Sequence, residues 1–151
     1  MKTERIKFWE VWGQSDALYE QWANEHGLKS TQLFVFYALD QRQGSTQKML
    51  AEYTGIPKQT INGAIRSLKA NGYITLVAES NDRREKRVVL TEKGRAYSQT
   101  LLIPLYELEE RVFSLMGAER VQQLIDSAML FNLIFEKEMV RRKKENDRKN
   151  E

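Results

Sequence analysis

Hydrophobic residues recur at intervals of three and four along most of the chain, which is the spacing of an amphipathic α-helix. The first case covers residues 5–25, where Ile6, Trp9, Trp12 and Leu18 are separated mainly by polar residues. The same spacing predicts five further helices, over residues 31–42, 47–54, 57–70, 92–116 and 118–140.

Capping residues mark where several of these helices begin. Ser30 and Thr46 each precede a predicted helix and can accept a hydrogen bond from its first turn. Pro57 suits the first position of the fourth helix, because proline has no N–H to leave unpaired there. Residues 43–45, "QGS", predict a stop and a turn. Pro104 lies within the fifth helix and is expected to kink it.

The period changes between the fourth and fifth helices. The segments "YITLVAE" (73–79) and "KRVVLT" (86–91) are rich in β-branched and apolar residues and flank a polar stretch. This pattern predicts a two-stranded hairpin with a charged tip. The fold class is therefore mainly α with a small β-hairpin (α+β).

Composition limits the class of protein. A chain of 151 residues is the size of one domain, and 41% hydrophobic with 30% charged residues is typical of a globular protein. No cysteine is present, which excludes disulfides and a thiol switch. No stretch approaches the length of a membrane span, so we expect a soluble cytoplasmic protein with no membrane partner.

Basic charge is concentrated in the middle of the chain. Residues 57–87 hold seven basic and three acidic side chains (+4), and residues 141–151 hold six and three (+3). The net charge of the whole chain is only +3, so the remainder carries −4. A basic middle on an acidic frame favours a polyanionic partner.

The third and fourth predicted helices form a candidate helix-turn-helix. Two helices joined by three residues must cross steeply, which requires a small residue at the crossing and a permissive one in the turn. Ala51 and Gly55 supply these. The buried apolar residues expected around them are Leu50, Ile56, Ile61 and Ala64. The alternative is an ordinary helical hairpin with a glycine turn.

The outer face of the fourth helix is the candidate DNA-reading surface. Amides can bond to adenine and basic side chains to guanine in the major groove. The alternative is a plain solvent face, but such faces are usually built from Glu and Lys, and no acidic residue occurs from 57 to 78. The candidate residues are Lys58, Gln59, Thr60, Asn62, Gly63 and Arg66.

The hairpin would then be a wing beside the DNA backbone or the minor groove. Arg83, Arg84 and Arg87 are the candidate contacts, because arginine is favoured in a narrow minor groove. Asp82 can accept from the hairpin backbone or hold an arginine in place. A charged hairpin tip is also common on any protein surface; its position directly after the helix pair favours the wing.

The sequence resembles the MarR family of winged helix-turn-helix transcriptional regulators. The resemblance rests on "LAEYTGIPKQTINGAIRSLKANGYI" (50–74) and "DRREKRVVLTEKG" (82–94). The family's wing reads approximately Asp-x-Arg-Asp-x-Arg, followed by a strand ending in Leu-Thr-x-x-Gly. Glu85 replaces the second Asp, and Arg83 stands where a Pro is frequent. The matching residues are Asp82, Arg84, Arg87, Leu90, Thr91 and Gly94.

The resemblance implies a homodimeric repressor that binds a pseudo-palindromic operator and releases it when an effector binds. Arg84 and Arg87 would contact the groove or backbone, with Asp82 supporting them. The chain (1–151) would be one winged helix-turn-helix domain. Within it we expect a DNA-binding lobe over about 30–100, dimerisation helices over about 5–25 and 101–140, and a charged tail, 141–151, that frays or is disordered.

The residues of the last helix independently favour dimerisation. They offer more apolar surface than one helix face needs, and a small domain could hardly bury all of it. The alternative is a wholly internal core. The apolar residues concerned are Leu124, Ile125, Ala128, Met129, Phe131, Leu133, Ile134 and Phe135.

The sequence says little about an effector, and we expect no cofactor. His26 is the one histidine, and a helix-end histidine is more often structural than a metal ligand. A small apolar or aromatic effector would suit a site between the dimer helices and the DNA-binding lobe. The aromatic residues near that junction, more often plain core than a site, are Phe8, Trp9, Trp12, Trp22, Phe36 and Tyr37.

Two other classes of function remain to be compared with a DNA-binding regulator. One is a winged-helix module that binds a protein partner and no DNA. The other is an enzyme, which is disfavoured because the sequence shows no nucleophile–base pair, phosphate-binding loop or metal-ligand spacing.

Overall fold

The computed structural model describes residues 1–42, 44–78 and 86–149 and contains six helices and three short strands in those ranges. The predicted mainly α fold with a small β wing is confirmed. None of the helices in these ranges is both long and apolar enough to cross a membrane. In chain order the elements are α1 (Lys2–Glu25), α2 (Ser30–Gln41), β1 (Ser45–Thr46), α3 (Gln47–Thr54), α4 (Lys58–Ala70), β2 (Ile74–Ala78), β3 (Lys86–Leu90), α5 (Glu92–Met116) and α6 (Ala118–Lys149).

The chain divides into two compact units, Met1–Pro104 and Leu105–Glu151. The boundary lies inside α5, directly after its proline. Helix α5 runs without a break from Glu92 to Met116, with Pro104 inside it. The predicted kink at that proline and the predicted division into lobe and dimerisation helices stay predictions.

Helix α2 is the centre of the first unit and packs against α1, α3 and α4. It was predicted to be buried, which is confirmed, because five of its twelve residues are buried. A polar bond also joins it to α4, where Gln32 Nε2 donates to Ser67 Oγ at 3.0 Å. The buried residues of α2 are Leu33, Val35, Phe36, Ala38 and Leu39.

Two of the three predicted helix starts need correction. Thr46 caps α3 as predicted, accepting from Met49 N at 3.2 Å. Ser30 is the first residue of α2 and not its cap, because Lys29 takes the cap position. The backbone N–H of Ser30 donates to the carboxylate of Glu20 in α1, and the bonding to Ser30 lowers the pKa of Glu20. Pro57 is likewise the cap of α4, because its carbonyl accepts the first intrahelical bonds.

The wing is a three-stranded antiparallel sheet, where a two-stranded hairpin was predicted. Its order is β1–β3–β2, and β2 pairs with β3 from Ile74↔Leu90 to Ala78↔Lys86. Ser45, predicted in the turn over residues 43–45, and Thr46, predicted as the cap of α3, form β1 and pair with β3. A strand of two residues is too short to show an alternating pattern, so periodicity could not predict it.

The start of α5 is joined to the end of α4 by a hydroxyl group. Thr91 Oγ1 accepts from Gly94 N at 2.9 Å, which caps α5, and donates to the carbonyl of Gly72 at 2.6 Å. The backbone N–H of Thr91 donates to Tyr73 O at 3.0 Å. Gly94 lies so close to Tyr73 that a Cβ there would overlap the Tyr73 carbonyl. In the Leu-Thr-x-x-Gly pattern, the threonine thus caps α5 and the glycine permits the close approach of the two backbones.

Residues 141–149 of the C-terminal tail are helical, which corrects the expectation of fraying for that part of the tail. Helix α6 continues through Lys149. Arg141 forms ion pairs with Glu138 at 2.6 Å and Glu145 at 3.8 Å, at the three- and four-residue spacings that support a helix. Arg, Lys and Glu are also good helix formers, so the composition of residues 141–149 favours a helix.

Gly94→Ala should lower the free energy of unfolding by roughly 3 kcal/mol, because the new methyl group overlaps backbone that cannot move aside cheaply. Gly13→Ala is the control, since a Cβ at Gly13 meets nothing within 4 Å and should add about 0.5–1 kcal/mol. Urea unfolding followed by circular dichroism measures both. Equal stability of the two variants would contradict the close approach at Gly94.

Candidate nucleic-acid interface

The rotation of α4 about its axis is fixed by its apolar face. Ile61, Ala64, Ile65 and Leu68 are each 6% exposed or less. They recur at the spacing of one helix face and pack toward α2 and α3. The residues between them must therefore point away from the core.

The turn between α3 and α4 has the geometry that the helix-turn-helix prediction requires. Gly55 adopts a left-handed φ of +69° and ends α3. Thr54 Oγ1 donates to Leu50 O at 2.7 Å and accepts from Ile56 N at 3.2 Å, which holds the chain through the turn. The permissive role predicted for Gly55 is confirmed.

The predicted reading face of α4 is on the outside of the molecule. Lys58, Gln59, Thr60 and Arg66 are exposed. Asn62 is half-buried beside them. A Cβ added to Gly63 would meet nothing within 4 Å, so the helix backbone there borders open space. None of these positions is packed into the protein's own core.

Three of the predicted residues lie in one cleft of about 450 Å³. Gln59, Asn62 and Arg66 line it, and Ile65 and Leu76 form its apolar part. The cleft therefore runs between the outer face of α4 and strand β2 of the wing. Lys58, Thr60 and Gly63 are not among the residues that line it.

Two further residues of the cleft were not predicted, Gln47 and Lys69. Lys69 follows Arg66 by three positions on the same helix face, so the spacing could have identified it. Gln47 is the first residue of α3 and reaches the cleft only through the fold. No local pattern in the sequence marks it.

The cleft is basic. Lys58, Arg66 and Lys69 lie on α4, which has no acidic residue. Among the described residues, no carboxylate forms an ion pair with any of the three. Their charge is therefore available to an anionic partner.

The wing arginines are only partly described. Asp82, Arg83 and Arg84 lie outside the described residues. Arg87 lies on β3, is half-buried, and its Nη1 donates to the carbonyl oxygen of Gly44 at 2.6 Å. The structure thus places Arg87 against the protein's own backbone.

His26 has structural partners. Its Nδ1 lies 2.8 Å from Trp22 O, its ring stacks on Trp22 with centroids 5.1 Å apart, and its carbonyl accepts from Tyr97 Oη at 2.9 Å. Burial and then the neighbouring Tyr73 raise the pKa of Tyr97 above its ordinary value. Within the described ranges no group of three or more His, Asp or Glu could hold a metal ion.

The aromatic residues proposed for an effector site are spread over α1 and α2. Phe8 and Trp12 pair on α1 with ring centroids 5.8 Å apart, and Trp9 beside them is exposed. Phe36 is fully buried in α2. The indole N–H of Trp22 is buried without a hydrogen-bond partner among the described residues. The effector pocket remains unassigned.

Comparison with known proteins identifies the family. The sequence model of the MarR family matches residues 26–85. The HTH-type transcriptional repressor NicR of Pseudomonas putida is 31% identical over 118 residues, which are 74% of this chain and 75% of NicR. A solved MarR family regulator from Neisseria meningitidis is 26% identical with a TM-score of 0.80, over 90% of this chain and 96% of that one.

Another solved structure, of Bordetella bronchiseptica BpsR, concerns regulation of DNA binding by 6-hydroxynicotinic acid. BpsR is 20% identical with a TM-score of 0.71, over 84% of this chain and 91% of BpsR. At this identity the likeness concerns the fold. The helix pair, the three-stranded wing and the family match agree with one another, and the relatives are transcription regulators rather than enzymes. The chain belongs to the MarR family of winged helix-turn-helix transcriptional regulators.

Proposed function

We propose that this regulator binds a specific double-stranded DNA sequence as a homodimer and represses transcription from it. The observation that carries the proposal is the outer face of α4. It presents Gln59, Asn62 and Arg66 to an open, basic cleft while the opposite face is buried. A helix with this division between faces can enter a major groove and still rest on the rest of the lobe.

The side chains on the outer face of α4 suit base edges and phosphates in different ways. Gln59 and Asn62 can each bond bidentately to adenine, and Arg66 to guanine. Lys58 and Lys69 are point charges suited to phosphates. Thr60 can bond a phosphate or touch a thymine methyl. The N-terminal half of α4 would specify the sequence and the lysines would position the helix.

The proposed dimer rests on apolar residues that the single chain leaves exposed. In α6, Leu124, Phe131 and Phe135 share one side of the helix and Ile125 and Met129 another, yet all five are between 42% and 65% exposed. A helix that is apolar on more than one side requires burial on more than one side. A second copy supplies this through an isologous interface.

Exposed apolar residues on helix α1, in the first unit, also favour dimerisation. Ile6, Trp9, Val11, Trp12 and Leu18 are all large, apolar and at least 47% exposed. Surface of this size and character marks an interaction site on a small protein. The chain ends are therefore the proposed dimer surfaces, and two α4 helices would then read half-sites roughly 34 Å apart.

The proposed effector is a small aromatic molecule. Support comes from BpsR, whose DNA binding is regulated by 6-hydroxynicotinic acid, and the proposed repression follows the name of NicR. In this chain, the indole N–H of Trp22 is buried, has no hydrogen-bond partner in the part of the chain that the structure describes, and is a donor for an acceptor group on such a molecule. Binding there would alter DNA affinity by shifting the population of DNA-competent dimers.

Selection of binding sites from random duplex DNA, followed by salt titration, tests the function. We expect one enriched sequence with two related halves. If six to ten phosphates are contacted, its affinity should fall roughly 10³–10⁵-fold between 50 and 200 mM salt. No enrichment, together with a salt-insensitive protein partner, would favour the winged-helix protein-binding module instead.

Gly63→Ala should stabilise the protein and weaken DNA binding. Alanine improves a helix interior by about 1 kcal/mol, and the new methyl meets nothing within 4 Å in the protein. If the α4 backbone approaches DNA closely at this point, the methyl should cost about 1–3 kcal/mol of binding. Urea unfolding and binding to the selected DNA measure the two effects. A stabilised variant with unchanged affinity would exclude the close approach.

Gln59→Ala should cost about 1–3 kcal/mol on the selected sequence and relax preference at one base pair. The reason is the loss of one bidentate base contact. Gln99→Ala is the matched control, because Gln99 is an exposed glutamine on α5. Affinities for the selected DNA and for single-base variants of it give the answer. An equal loss on random DNA would show that Gln59 does not read a base.

Phe135→Glu should convert the dimer to a monomer, because it places a charge in the proposed apolar interface. Binding to DNA should weaken about 10²-fold or more, since the two half-sites lose their linkage. Lys137→Glu is the control on the same helix, at an exposed polar position. Sedimentation velocity reports the mass. A Phe135→Glu chain that stays dimeric would place the interface elsewhere.

A further inference from the structure

Strand β1 couples the wing to the helix-turn-helix. It pairs with β3 in the register Ser45↔Val88 and Thr46↔Arg87. Thr46 is also the cap of α3, so the strand and the helix share a residue. Strand β1 therefore joins β3 directly to the start of α3.

The side chain of Arg87 reinforces this junction. It reaches past its strand partner to the turn before β1, where Nη1 donates to Gly44 O at 2.6 Å. Gly44 has a left-handed φ of +72°, and a Cβ there would lie 3.6 Å from Arg87 Cδ. The arginine stem thus lies along a turn that leaves room for it. Ser45, next along the chain, bonds back to Arg42 O at 2.9 Å and holds the same turn.

This arrangement differs from the role that the wing motif implies. The family resemblance pairs Arg84 and Arg87 as contacts to DNA. A half-buried guanidinium that bonds a carbonyl at this distance is held by charge-assisted hydrogen bonding. A contact of this same Nη1 N–H with a phosphate or a base would require the bond to Gly44 to be broken or shared.

We propose that Arg87 is a positioning residue: it ties β3 to the turn before α3 and so sets the angle of the wing to the recognition helix, without contacting DNA itself. The proposal rests on the proposed DNA-binding function. The arginines of the wing tip, Arg83 and Arg84, would make the contacts, and Arg87 would act through them. The contribution of Arg87 to DNA affinity must then vanish when those contacts are absent.

A double-mutant cycle tests this dependence. Arg87→Gln is measured in the wild-type chain and in the Arg83→Ala, Arg84→Ala double variant, with binding to the selected DNA as the readout. In the wild-type chain we expect a loss of about tenfold, the scale of one charged hydrogen bond. In the double variant we expect no further loss, because coupled residues are not additive.

Lys86→Gln is the matched control. It removes a positive charge from the neighbouring residue of the same strand, where the side chain is exposed. Any effect of Lys86→Gln should be the same in both backgrounds. Circular dichroism and thermal unfolding establish that every variant is folded before binding is compared.

Equal losses from Arg87→Gln in both backgrounds, with the salt slope reduced by about 0.9 in each, would overturn the proposal and make Arg87 a phosphate contact. If Arg87→Gln does not fold, guanidinium NMR of the wild-type chain decides. We expect Arg87 resonances that are the same with and without DNA, and a large shift on DNA binding would overturn the proposal. A wild-type chain that binds no duplex DNA would instead refute the proposed function on which this inference rests.

Discussion

The packing of one face of α4 against α2 and α3 is the constraint on which the DNA-binding surface depends. Four apolar side chains are buried there, and each is worth roughly 1–3 kcal/mol relative to exposure. A rotation of α4 by one residue would bring polar side chains such as Asn62 into the core without partners, which carries a further cost. The outer face is thus defined by what the inner face must bury.

The wing depends on a second set of contacts, made by the backbone at both ends of the sheet. Thr91 joins the end of β3 to Gly72 at the end of α4, and Gly94 permits the close approach of α5 to Tyr73. At the opposite edge, β1 pairs with β3 and continues into α3. The helix pair and the wing therefore share residues, and a substitution at a shared residue should alter both.

The sequence predicted those features that repeat with a regular period or rest on one local residue. The buried and outer faces of α4, the cap at Thr46, the turn at Gly55 and the paired strands of the wing belong to this group. In each case the determining residues lie within a few positions of one another. The Leu-Thr-x-x-Gly pattern was recognised by resemblance, and the structure supplies its physical reason.

Features that arise from distant residues could not be predicted. Strand β1 is too short to show a pattern, Gln47 reaches the cleft only when α3 is packed, and the Arg87 side chain bonds a carbonyl 43 residues earlier. The helix over residues 141–149 differs from the fraying expected of a chain end. A charged sequence can still be helical when opposite charges alternate at three- and four-residue spacings.

We propose that the outer face of α4 enters the major groove twice, once from each copy of the chain. Dimethyl sulfate protection on the selected DNA tests it most directly, because guanine N7 is exposed in the major groove. The account predicts two protected patches of guanine N7 whose centres lie about 10 base pairs, one helical turn, apart. A single protected patch, or no protection of N7 at saturating protein, would contradict it.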